Sequence, residues 1–189
     1  MGHSVDQKII QNLLSTGRHK ECLQACQQLL AGEPENPVPW KFAGKSLLAL
    51  RQFEKAHQCL TKAHQLDTND PETIKDLGNI FNALQNDAEA TRLYKAALSI
   101  DQNYAPALNN LGLIAKRRGN LIAAEQLVKR ACDLDQSSNH YYHINLAGIY
   151  NDLGNLDKAL SSTLKSLELN PNSSTSLMNL GGIYKELGQ

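Results

Sequence analysis

Apolar residues recur along this chain at helical spacing, and the pattern as a whole recurs. Within 105–135, Leu108, Leu111 and Ala115 mark one apolar stripe at three-and-four spacing. Ala124, Leu127, Val128 and Ala131 mark a second. Between the stripes stands Arg118-Gly119-Asn120. Gly119 suits the left-handed conformation that ends a helix, and Asn120 suits the cap of the next. Gly154-Asn155 repeats the device one unit later. At the same place two earlier units hold Arg51 and Gln85; if these adopt that backbone, each costs about 1 kcal/mol relative to Gly. The segment therefore predicts two helices joined by a tight turn.

The period is 34 residues. Leu77 and Gly78 return as Leu111 and Gly112, as Leu146 and Ala147 after one extra residue, and as Leu180 and Gly181; moving backward, they become Ala43 and Gly44, then Ile9 and Ile10. The units are 3–36, 37–70, 71–104, 105–139, 140–173 and the partial 174–189, read as a single array over 3–189. The extra residue falls in the polar stretch 136–139, where a loop tolerates insertion at small entropic cost. Small residues hold the eighth place (Gly44, Gly78, Gly112, Ala147, Gly181) and the twentieth (Cys22, Ala56, Ala90, Ala124, Ala159). The twenty-seventh place gives Leu29, Ala63, Ala97, Ala131 and Ser166. Larger apolar residues hold the eleventh: Leu13, Leu47, Phe81, Tyr150 and Tyr184. Small residues at fixed points let helices approach closely, and larger ones fill the space left.

Composition narrows the function classes. The 189 residues carry 19 basic and 19 acidic side chains, so no global charge draws the chain to nucleic acid or an anionic membrane. Aromatics make up 5%, so the core is expected to be aliphatic. No apolar run reaches the ~20 residues that span a bilayer, and the opening MGHSVDQK lacks a signal peptide's apolar stretch. These features predict a soluble, cytoplasmic protein without cofactor. Cys22 and Cys26 lie four apart on one helix face and could ligate a metal with His19; the alternative is small buried thiols. His57 and His64, seven apart, read as a wet helix surface, and His143 as a packed residue. No nucleophile elbow, metal motif or phosphate loop is present, so no catalytic or metal-binding residue is assigned.

The pattern resembles the tetratricopeptide repeat, a 34-residue unit with the signature W-x2-L-G-x2-Y, then A-x3-F, then P. Unit 37–70 supplies Trp40, Gly44, Ala56 and Leu60 at those places; unit 140–173 supplies Leu146, Tyr150, Ala159 and Pro171. The resemblance implies an all-α fold, a right-handed superhelix (solenoid) of stacked helix-turn-helix repeats. It implies a concave groove lined by the first helix of each pair, suited to an extended peptide or partner helix. It extends to the arrays of O-GlcNAc transferase-like and related bacterial proteins. There such arrays precede glycosyltransferase or sulfotransferase domains, so the alternative to a free-standing interaction module is a substrate-recruiting domain of a larger enzyme. The chain itself is expected not to be an enzyme.

Groove residues are expected at places two, five, six, nine and twelve. Place six carries Asn110, Asn145 and Asn179, a ladder in which each amide can both donate to and accept from a peptide backbone. Asn is also common just before Leu-Gly here, and that alternative stays open. Lys41, Lys45, Lys75, Asn79, Asn109 and Lys116 complete the expected peptide-binding set, whose cations favour an acidic partner segment. Lys75, Asn79 and Asn110 match three parts of the family's two-carboxylate clamp, but Tyr141 and Asn145 stand where the clamp needs Lys and Arg. Each missing charge-assisted contact removes about 1.5–3 kcal/mol, so binding of a chaperone tail is not expected. The run 116–118 is too short and too poor in aromatics to argue nucleic acid. The last unit, ending NLGGIYKELGQ, lacks a second helix like 156–169. The expectation is a fragment of a longer protein, with a natural capping helix as the alternative. Self-association through exposed terminal helices is a further expectation.

Overall fold

The computed structural model describes residues 3–135 and 139–188, with side chains from Gln7 onward; of the stretch 136–139 expected to hold the one-residue insertion, 136–138 lie outside the described residues. Among the described residues every regular element is a helix. In chain order these are α1 (His3–Ser15), α2 (His19–Gly32), α3 (Pro37–Ala49), α4 (Phe53–Leu66), α5 (Pro71–Ala83), α6 (Asp87–Ile100), α7 (Ala105–Arg117), α8 (Leu121–Leu134), α9 (His140–Asp152), α10 (Leu156–Leu169) and α11 (Ser174–Glu186). They fall into two compact units, one up to Ile100 with α1–α6 and one from Asp101 with α7–α11.

Local chemistry explains the boundaries. Helices α3 and α5 begin on Asn36 and Asp70, whose side chains accept from the Val38 and Glu72 amides, with Pro37 and Pro71 in the first turn. That proline gives up an amide that had no helical partner. Ser173 accepts from the Ser176 amide at the start of α11. The turn inside each pair closes with a left-handed residue: Gly17, Gly119 and Gly154 at φ 73°, 77° and 72°, and Arg51 and Gln85 at 59° and 60°. After α7 the Gly119 amide donates to Lys116 O and the Asn120 amide to Ala115 O, both at 2.9 Å, the two bonds of a Schellman motif. Arg51 and Gln52 repeat both bonds, to Leu48 O and Leu47 O. The backbone expected from Gly119 is therefore adopted without glycine at two turns.

Within each unit the helices pair as α3 with α4, α5 with α6, α7 with α8 and α9 with α10. First helices also touch first helices: α1 with α3, α3 with α5, α7 with α9, and α9 with α11. The small column does its expected work, since Cys22, Ala56, Ala90, Ala124 and Ala159 are all 0% exposed. A compensation runs alongside it. A Cβ at Gly44 would come within 2.5 Å of Leu60 Cγ, one at Gly78 within 2.6 Å of Tyr94 Cε1, and one at Gly112 within 2.5 Å of Val128 Cγ2. Where the eighth place is larger, as Ile10 and Ala147, the twenty-fourth is Cys26 and Thr163 rather than a bulky residue. Close-packed interiors require such exchanges of volume. The eleventh column departs from expectation: Leu47 and Tyr150 are buried, but Leu13, Phe81 and Tyr184 are only half-buried.

Candidate functional site

The first-helix face of the N-terminal unit gathers four expected site residues into one charged network. Lys41 Nζ on α3 lies 3.1 Å from Asp70 Oδ2 and 3.0 Å from Glu72 Oε2. Lys45 pairs with Glu72 and stands 4.0 Å from Asp76 Oδ2. Asp76, 4% exposed, takes Lys75 at 2.5 Å and the Asn79 amide at 3.1 Å on its Oδ1. The Tyr94 hydroxyl in turn donates to Asn79 Oδ1 at 2.9 Å. Partial burial opposes the charges, but the pairing outweighs it. The carboxylates of Glu72 and Asp70 hold Lys41 above the usual lysine range. Burial alone would raise Glu72, but Lys45 and Lys41 bring it down to about 2, and Thr73 and Lys41 lower Asp70 in the same way.

This changes the electrostatic reading. From their places in the repeat alone, Lys41, Lys45 and Lys75 read as cations offered to a partner. The α3–α5 packing sets Asp70, Glu72 and Asp76 against Lys41 and Lys45, and Lys75 pairs with its neighbour Asp76, so this face presents paired charges. The carboxylates that meet Lys41 and Lys45 across the two helices lie 27 to 31 residues further along the chain, a relation visible only once successive first helices are placed side by side.

In the C-terminal unit the asparagines join hands. Asn145 Nδ2 on α9 donates to Asn109 Oδ1 on α7 at 2.9 Å, and Asn109 Nδ2 donates to Asn110 Oδ1 at 3.2 Å. Asn109 is 6% exposed, so it serves as a buried bridge between Asn110 and Asn145. Asn179 stands elsewhere, in a cavity of about 200 Å³ whose described lining lies wholly on α7, α9 and α11. Lys116 shares that cavity. Its Nζ donates to Gly148 O at 3.0 Å and lies 3.2 Å from Asp152 Oδ2. A Cβ at Gly148 would sit 3.1 Å from that ammonium, so the bare backbone admits it. The structure thus brings together Asn109, Asn110 and Asn145, and separately Lys116 and Asn179. It adds Gly148, Asn151, Asp152 and Glu186, which the sequence argument did not single out. Gly148 and Asn151 occupy places nine and twelve, so the place rule already contained the signal for them. Asp152 and Glu186 stand one position past that rule.

Other candidates resolve as packing. Cys22 and Cys26 are fully buried, with Cys22 Sγ 3.7 Å from Ile10 O, and burial pushes the Cys26 thiol far up. No group of three or more His, Cys, Asp or Glu able to hold a metal occurs among the described residues. Burial and the nearby Lys165 lower the pKa of half-buried His143. No described helix is long and apolar enough to cross a membrane.

Comparison with known proteins agrees with this architecture. The signature of the tetratricopeptide repeat matches residues 93–126 and again 140–173. Among solved structures, a thermophilic TPR protein of Thermus thermophilus superposes over 96% of this chain and 98% of its own, with a TM-score of 0.82 at 20% identity. Cut9, solved in the APC/C hetero-tetramer Cut9-Hcn1, superposes over 96% of this chain and 36% of its own, with a TM-score of 0.88 at 18% identity. YrrB, described as a TPR protein with an unusual peptide-binding site, superposes over 92% and 89%, with a TM-score of 0.60 at 17% identity. At these identities the likeness is one of fold. No curated protein matches the chain in sequence.

Proposed function

We propose that this chain, which matches the tetratricopeptide repeat over 93–126 and 140–173, is a protein-interaction scaffold that holds an extended partner segment on the first-helix face of α7, α9 and α11. The observation that carries this reading is the cavity whose described lining residues come from those three first helices, with Asn151 and Asn179 in its wall and the Asn110–Asn109–Asn145 row on two of the same helices. A side-chain amide offers a donor and an acceptor at once, which suits a peptide backbone regardless of its sequence. The peptide-binding site named for YrrB lends the reading support at the level of fold.

Charge plays the smaller part. Lys116 is already engaged by Asp152 and the Gly148 carbonyl. The partner's acidity, expected from the lysines alone, loses its basis when each of them faces a carboxylate of its own chain. Binding should then depend weakly on salt. The test is capture of the partner by the intact chain and by the Asn110→Ala/Asn145→Ala variant. Loss of capture by a variant that still unfolds cooperatively supports the reading; undiminished capture removes the asparagines from it.

A further inference from the structure

A second cavity in the N-terminal unit lies apart from the first-helix network and shares no residue with it. It measures about 870 Å³ and opens where the α3–α4 turn meets the C-terminal end of α5. Its apolar wall is formed by Phe53, Phe81 and Leu84. Leu84 is 55% exposed, and Phe81 is only half-buried although it stands in a column where Leu47 and Tyr150 are core. His57 meets the Phe81 ring edge-on at 5.8 Å between centroids.

Three features give this apolar hollow an anion-seeking rim. Arg51 holds its guanidinium 5.9 Å from the Phe53 ring centroid. Lys55 follows in the first turn of α4, with Glu54 the single acid among the described lining residues. Helix α4 starts at Gln52 without a side-chain cap, as α2 does at Arg18, whereas Asn86, Asn120 and Asn155 at the equivalent place each accept a backbone amide at 3.2 Å. The first-turn amides of α4 therefore lack a side-chain acceptor, and a helix start favours a carboxylate. Arg51 itself occupies a left-handed turn position that Gly17, Gly119 and Gly154 fill elsewhere.

We infer that this cavity is a second docking site, taking a partner segment that buries a bulky apolar side chain against Phe53 and Phe81 and sets a neighbouring carboxylate near Arg51, Lys55 and the start of α4. The acidic partner chemistry expected for the first-helix face belongs here, where the cations are not matched by an equal number of carboxylates.

Isotope-labelled protein titrated with the peptide acetyl-Ser-Phe-Glu-Glu-Ser-amide tests this by chemical shift. Saturable shifts at Phe53, His57 and Leu84 are expected, with affinity about tenfold lower for the peptide carrying Gln in place of both Glu. Arg51→Gly removes the guanidinium while suiting the positive φ, so the fold persists and affinity falls about threefold. Leu84→Ser, at an exposed position, weakens binding without threatening the core. No saturation at millimolar peptide, saturation centred on other residues, or equal affinity for the Glu and Gln peptides overturns the inference. Asn110→Ala/Asn145→Ala leaves this binding intact, so failure here and failure of the first-helix reading are separate results.

Discussion

The ring of Tyr94 lies against Gly78 so closely that a methyl group added at the glycine would meet Cε1 at 2.6 Å, while the Tyr94 hydroxyl donates to Asn79 at 2.9 Å. One residue of α6 thus reads two consecutive residues of α5: packing against the first and hydrogen bonding to the second. Gly78→Ala forces a fully buried ring to move, so overpacking of about 1–3 kcal/mol outweighs the helix propensity that alanine restores. Gly181→Ala is the contrast, because nothing lies within 4 Å of its added Cβ, and it should be neutral or stabilising by up to about 1 kcal/mol. Urea unfolding of the two variants measures the difference; equal effects would show that the eighth place is not a point of close approach.

Arg51 and Gln85 hold φ of 59° and 60°, a conformation that costs an L residue what it does not cost glycine. Arg51→Gly and Gln85→Gly should each raise stability by about 0.5–1 kcal/mol, the greater freedom of glycine in the unfolded chain limiting the gain. Gly119→Ala, at φ 77°, should lower it by about 1 kcal/mol. Thermal midpoints read all three, and a fall on Arg51→Gly would mean that the side chain holds the turn.

Acid should loosen the α3–α5 contact through Glu72. Its pKa falls from 4.5 to about 2 on folding, so between those values the unfolded chain takes up the proton first. The contribution is complete above about pH 4.5 and disappears as pH drops through about 2. Because the side chain is 36% exposed, solvent screening reduces it to on the order of 1 kcal/mol. Glu72→Gln should therefore lose less stability than the parent between pH 5 and pH 2, and parallel curves would refute the assignment.

Ala124 is fully buried, and its carbonyl oxygen would lie 3.3 Å from a Cβ placed on Gly112. Ala124→Leu adds volume where α7 and α8 cross and should cost about 1–3 kcal/mol. An unaltered melting midpoint would show that the twentieth place has room.

The helices and their ends were legible in the sequence because they depend on near neighbours. Gly119 followed by Asn120 specifies a stop and a start within two residues, and both occur as expected, with Asn120 accepting from the Ala123 amide. The 34-residue period likewise located the small column that proves fully buried. The candidate site was legible only as a list of places. That Asn145 spends an amide on Asn109, and that Lys116 folds over Gly148, depends on which helix lies next to which.

By itself the sequence determined the repeat, the caps, the turns and the buried small residues, since each follows from periodicity or from groups within a few bonds of one another. Only the tertiary structure decided which charges remain for a partner. Lys41 and Glu72 are 31 residues apart along the chain and 3.0 Å apart in space, and a Coulomb interaction follows the second distance.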